Sequence, residues 1–150
     1  MQHDTLADTF NWFQAALPNP EDINFHTQLG VHFEEVGEMI DAISALDPET
    51  AAIMGTARQA IGTLSKHLKG ATDRIIVHQF DRAEYLDAIC DQIVTATGCA
   101  HISELKLIDA MAEVNRSNYS KFFNGKPVFD ENNKITKGPD YSKADLTPYV

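Results

Sequence analysis

The chain predicts an all-α fold, a helical bundle of about five helices closed by a small C-terminal β-hairpin or irregular tail. Three observations carry that expectation. Apolar residues recur at steps of three and four through most of the first 120 positions. Aspartate caps and Pro or Gly stops cut that stretch into separate segments. Beyond residue 121 the chain turns rich in Gly, Pro, Asn and Lys and loses the helical period.

The first helix is expected over residues 5–17, with Leu6, Phe10, Phe13 and Leu17 along one face, and Pro18 and Pro20 end it. A second covers residues 24–46 on the stripe Phe25, Leu29, Phe33, Val36, Ile40 and Ile43. Asp47 followed by Pro48 is a cap and first-turn pair, opening a third helix that runs toward Leu68 and stops at Gly70. Asp81 caps a fourth that reaches Ala100, with Tyr85, Ile89, Ile93 and Ala96 on one side. Ser103 caps a fifth, whose inner side is Leu105, Ile108, Met111, Ala112 and Asn115. In the tail, residues 127–130 and 134–137, joined through Glu131, Asn132 and Asn133, can pair as a two-stranded ribbon, which must pack on the helices to persist.

A length of 150 residues suits a single domain over residues 1–150, with 122–150 as a non-helical tail packed on the bundle. No apolar run is long enough to span a bilayer, and no basic segment followed by an apolar one marks a secretory signal, so a cytoplasmic protein is expected. Cys90 and Cys99 have neither metal-ligand spacing nor the look of a disulfide framework. The net charge of −10 disfavours duplex nucleic acid and anionic membranes as partners. That charge is uneven: no Lys or Arg precedes Arg58, and six of the twelve lie from Arg116 onward.

Two acidic clusters stand out, Glu34, Glu35 and Glu38 in HFEEVGEMID and Glu84, Asp87 and Asp91 in AEYLDAICDQ. At about 100° per residue each set falls on one side of its helix, where like charges three and four apart repel by a few tenths of a kcal/mol per pair. Two readings fit. The carboxylates lie opposite the main apolar stripes, as on any wetted helix face, and Glu84 is placed to complete a capping box with Asp81. Against this, residues 30–46 and 83–100 contain no Lys or Arg, and apolar neighbours flank both acidic stripes, which suits carboxylates gathered around a hard cation such as Mg²⁺. A di-iron bundle is disfavoured because neither cluster has a His three residues after a Glu. No P-loop, dinucleotide-binding or nucleophile-elbow motif is present.

These residues resemble a known family. Glu35-Val-Gly-Glu38 is similar to the E-x-x-E element of the MazG-like all-α nucleoside triphosphate pyrophosphohydrolases, and Glu84-Tyr-Leu-Asp87 to their E-x-x-D element. The run DAICDQIVTATG resembles a branch of that superfamily related to phosphoribosyl-ATP pyrophosphohydrolases and dimeric dUTPases. So does the ending, with Asn115, Asn118 and Lys121, then Gly125-Lys126-Pro127, Lys134-Ile135-x-Lys137-Gly138-Pro139 and Tyr141. The 45 residues between Glu38 and Glu84 exceed the usual interval, and residues 47–70 read as an added helix.

The resemblance implies cleavage of a (deoxy)nucleoside triphosphate between its α and β phosphates, giving a monophosphate and pyrophosphate, in a dUTPase-like or house-cleaning role. It implies Mg²⁺, with Mn²⁺ as a substitute, held by Glu35, Glu38, Glu84, Asp87 and Asp91. Glu34, Glu35 and Glu38 would be catalytic, with Glu34 positioning or deprotonating the attacking water. Asn115, Asn118, Lys121, Lys137 and Tyr141 would meet the nucleotide, and the chain would assemble as a homodimer or homotetramer. The alternative of another class is a non-catalytic nucleotide-binding or protein-interaction module of the same fold.

Overall fold

A computed structural model describes residues 4–131 and 134–150. Its elements are α1 (Thr5–Ala16), α2 (Asp22–Asp41), α3 (Pro48–Gly70), α4 (Arg82–Ile102), α5 (Leu107–Tyr119) and a final 3₁₀ turn, Thr147–Tyr149. The fold is all-α. Among the described residues the tail contains isolated bridges in place of strands. Phe129 pairs antiparallel with Ile135, backed by bonds from Asp130 N to Lys134 O (2.9 Å) and Thr136 N to Val128 O (2.8 Å). The expected ribbon is therefore present in register but one bridge long, and its connecting Asn132 and Asn133 lie outside the described residues. None of the described helices is long and apolar enough to cross a membrane.

The caps expected at Asp47 and Asp81 form, and Asp4 adds a third at α1. Asp4 Oδ1 accepts from Ala7 N at α1 (3.0 Å), and Asp47 accepts from both the backbone and the hydroxyl of Thr50 at α3 (2.8 and 2.7 Å). Asp81 accepts from Ala83 N and Glu84 N at α4 (3.0 and 3.1 Å), satisfying amides that have no partner within the helix.

Two boundaries differ from expectation. α2 ends at Asp41, five residues early, because the chain needs residues 42–46 to reverse before Asp47 adopts its extended capping conformation. Ser103 does not cap α5; it terminates α4, and α5 begins at Leu107. There the chain makes a Schellman turn: Leu105 N donates to Ala100 O (3.0 Å), Glu104 N to His101 O (3.1 Å), and Glu104 takes the left-handed conformation at φ 60°. Such a position normally calls for Gly, so a Glu there gives no signal in the sequence.

The chain divides into two compact units. The first comprises Met1–Pro18, Gln79–Phe129 and Ile135–Val150. In it α1 packs on α5 around buried Trp12, Ala16, Asn115 and Ser117. Trp12 stacks on Phe122 (ring centroids 6.0 Å) and meets Phe13 edge-on (4.9 Å). Asn115 ties the helices, donating from Nδ2 to Thr5 O (2.9 Å) and accepting from Thr9 Oγ1 (2.8 Å). These bonds set the rotation of α5: Leu105, Ile108 and Ala112, expected on its inner side, are exposed, while Leu107, Met111 and Val114 are half-buried. The tail is pinned to α5 through Glu113. Arg116 donates to it in a fork (2.7 Å twice), and Asp145 N adds a third bond (3.0 Å). The Arg116 bonds, then that of Asp145, draw the Glu113 carboxyl down to about 2.

The second unit comprises Asn19–His78 and Asp130–Lys134 and is built on an antiparallel hairpin of α2 and α3. Two glycines seat α3 against α2. A Cβ on Gly30 would lie 2.9 Å from the Ser65 carbonyl and 2.7 Å from Lys69 Cγ, and one on Gly37 would lie 2.8 Å from the Arg58 guanidinium. Ser65 Oγ donates to Gly30 O (2.7 Å), closing the contact. His26 is fully buried beneath the segment after α3, its Nε2 3.1 Å from Val77 O and 3.2 Å from Ile76 N.

Candidate functional site

On α2 the acidic residues separate into two groups. Glu34 and Asp41, seven residues apart and so on one stripe, turn toward α3. Asp41 accepts from Arg58 Nε at 2.7 Å. Glu34 is gripped by two lysines, with Oε1 2.7 Å from Lys69 Nζ and Oε2 3.2 Å from Lys134 Nζ. The bond from Lys69, reinforced by Lys134, holds the Glu34 carboxyl below the usual carboxylate range against the opposing effect of partial burial. Glu35 and Glu38 form the second group, and both are exposed. Glu38 makes no ion pair or side-chain hydrogen bond among the described residues.

The α4 carboxylates belong to the other unit. Glu84, Asp87 and Asp91 are exposed, on a helix whose one buried residue is Ala100. The Glu84 amide donates to the Asp81 cap, while its side chain returns no bond among the described residues, so a reciprocal capping box does not account for this carboxylate. Among the described residues no three His, Cys, Asp or Glu side chains gather as a metal-binding group. Glu35 and Glu38 in one unit, and Glu84, Asp87 and Asp91 in the other, each expose carboxylate oxygens, the donor type that hard cations take; among the described residues Glu38, Asp87 and Asp91 have no ion pair with Lys or Arg.

The nucleotide-facing candidates gather at the end of α5. Lys121 Nζ donates to Asn118 Oδ1 (2.8 Å) and lies 5.6 Å above the Trp12 ring. Lys137 Nζ sits 4.9 Å over the Tyr141 ring. Gly138 joins the two pairs, since a Cβ there would be 2.8 Å from the Lys121 carbonyl oxygen; only Gly permits that approach of the tail to α5. Asn115 differs from these four. It is buried, and both ends of its amide are engaged by α1, so in this structure it is a tie between helices.

Sequence reasoning missed Lys69, Lys134 and Arg58, which supply the positive charge facing α2. A signal existed. Arg58 and Lys69 are eleven residues apart, three turns on one stripe of α3, as Glu34 and Asp41 are two turns apart on one stripe of α2. Gly30 and Gly37 repeat at the same interval on α2. No known protein family, curated protein or solved structure matches the chain.

Proposed function

We propose that this protein is a MazG-like, Mg²⁺-dependent nucleoside triphosphate pyrophosphohydrolase that assembles as a homo-oligomer. The observation that supports this most is the division of labour among the carboxylates. Arg58 and Lys69 of α3 and Lys134 of the tail pair with Asp41 and Glu34, while Glu38, Asp87 and Asp91 are exposed and, among the described residues, have no Lys or Arg partner. Such oxygens attract a hard divalent ion that brings phosphate with it.

In this reading Glu35, Glu38, Glu84, Asp87 and Asp91 hold the metal. When bound, Mg²⁺ supplies charge neutralisation and in-line orientation of the triphosphate. Glu34 accepts a hydrogen bond from the attacking water and orients it toward the α-phosphorus. Lys121 and Lys137 meet phosphate oxygens, Asn118 bonds the base edge or the ribose through its paired donor and acceptor, and Tyr141 packs on the nucleotide. Asn115 contributes from behind by fixing α5 on α1.

The test is Glu38→Gln assayed with Mg²⁺ and a nucleoside triphosphate. We expect a loss of about 100-fold in kcat/KM, the scale of a lost ligand to catalytic charge, with the melting temperature unchanged. Full activity in the variant would remove the site assignment.

A further inference from the structure

We propose that Lys69 and Lys134 form a receptor for an oligophosphate and that the Glu34 carboxylate occupies it until that anion arrives. The inference rests on the pyrophosphohydrolase reading for its physiological ligand, and on geometry for its existence. Two ammonium groups from distant parts of the chain take the two oxygens of one carboxylate, Lys69 Nζ on Oε1 at 2.7 Å and Lys134 Nζ on Oε2 at 3.2 Å. Two cations thus stand close enough to share a single anion, and one carboxylate leaves the trio with a net positive charge.

Backbone features help to place both lysines. Gly30 leaves room for the Lys69 stem to lie against α2, since a Cβ there would strike Lys69 Cγ at 2.7 Å. Lys134 is set by its own amide, which donates to Asp130 Oδ1 at 2.9 Å, and by the bridge between Phe129 and Ile135 that turns the tail back. The groups stay reachable, with side-chain exposures of 23% for Lys69, 40% for Lys134 and 33% for Glu34. Ammonium groups bind phosphate as point charges with rotatable donors, so they can pass from a carboxylate to a phosphoryl group without rebuilding the backbone.

The neighbouring residues give the exchange a consequence. Glu35 and Glu38 lie on the same helix within one turn of Glu34. A triphosphate bridging from a cation at those carboxylates would carry its terminal phosphates toward Lys69 and Lys134. Once the lysines turn to phosphate, Glu34 is released to hold the attacking water. Substrate would thereby unlock the residue that acts on it, and an empty site would keep that residue locked.

The experiment uses inorganic pyrophosphate, titrated by calorimetry into the full chain in EDTA, so that neither metal nor turnover enters. The wild type should bind, and Lys69→Gln and Lys134→Gln should each weaken binding about tenfold, as expected for one charge-assisted hydrogen bond. Lys69→Arg and Lys134→Arg should retain most of it, which separates loss of charge from misfolding. Glu34→Gln should bind several-fold tighter, because the competing carboxylate is gone. Absence of pyrophosphate binding by the wild type, unchanged binding in both glutamine variants, or weaker binding in Glu34→Gln would overturn the proposal even if nucleotide turnover with Mg²⁺ stood. The predicted binding pattern without any nucleotide turnover would uphold the anion site while removing the pyrophosphohydrolase reading.

Discussion

Helices α2 and α4 look alike as sequence and differ as structure. Both run about twenty residues, 20 and 21, and both carry an acidic stripe with few or no basic residues of their own. Yet α2 is half of a tight hairpin whose second strand of charge comes from α3, whereas α4 exposes Leu86, Ile93 and Val94 along with its carboxylates. The lesson concerns counter-ions. A helix without Lys or Arg need not draw its positive charge from solvent or metal, because a neighbouring helix can deliver it side on. For Glu34 and Asp41 it does. For Glu38, Asp87 and Asp91 the described residues offer no such partner.

The largest effect that would sharpen this contrast lies at the glycines. Gly30→Ala forces a methyl against the Ser65 carbonyl and Lys69, and should destabilise the protein by about 1–3 kcal/mol in denaturant titration, the usual cost of overpacking. On α4 the same change should act in the opposite direction. A Cβ on Gly98 meets nothing within 4 Å, so Gly98→Ala should stabilise by up to about 1 kcal/mol through helix propensity alone. Equal signs for the two substitutions would break the comparison.

A smaller effect separates the carboxylates themselves. Asp87→Asn removes like-charge repulsion with Glu84 and Asp91, and without divalent metal it should raise stability by a few tenths of a kcal/mol. Adding Mg²⁺ should raise the melting temperature of the wild type and leave that of Asp87→Asn nearly unmoved, since a ligand that binds only the folded state stabilises it. An identical Mg²⁺ response in both proteins would show that Asp87 is not a ligand.

Much of the fold was readable because its punctuation is local. Asp47 with Pro48, Asp81, and the prolines after Leu17 act through bonds and clashes within a few residues, and the helices start or stop where these residues require. The end of α4 was read to within two residues, but the start of α5 was not, because Glu104 adopts a left-handed turn that Gly ordinarily marks. The face of α5 was misjudged for a related reason: a polar residue, Asn115, sets it through bonds to Thr5 and Thr9, more than a hundred positions away. The acidic stripes were visible at once, but the lysines on Glu34 were not, since charge pairing across 35 and 100 residues leaves no local pattern. Asn118, Lys121, Lys137 and Tyr141 do come together at the end of α5, where Gly138 lets the tail approach.

The most direct test of the central claim is to incubate the protein with each ribo- and deoxyribonucleoside triphosphate and Mg²⁺ and to identify both products. We expect pyrophosphate and the matching monophosphate from at least one of them, abolished by EDTA and restored by Mn²⁺. Orthophosphate as the product would contradict the cleavage position, and no turnover of any nucleotide would leave the chain a binding module with the same helices.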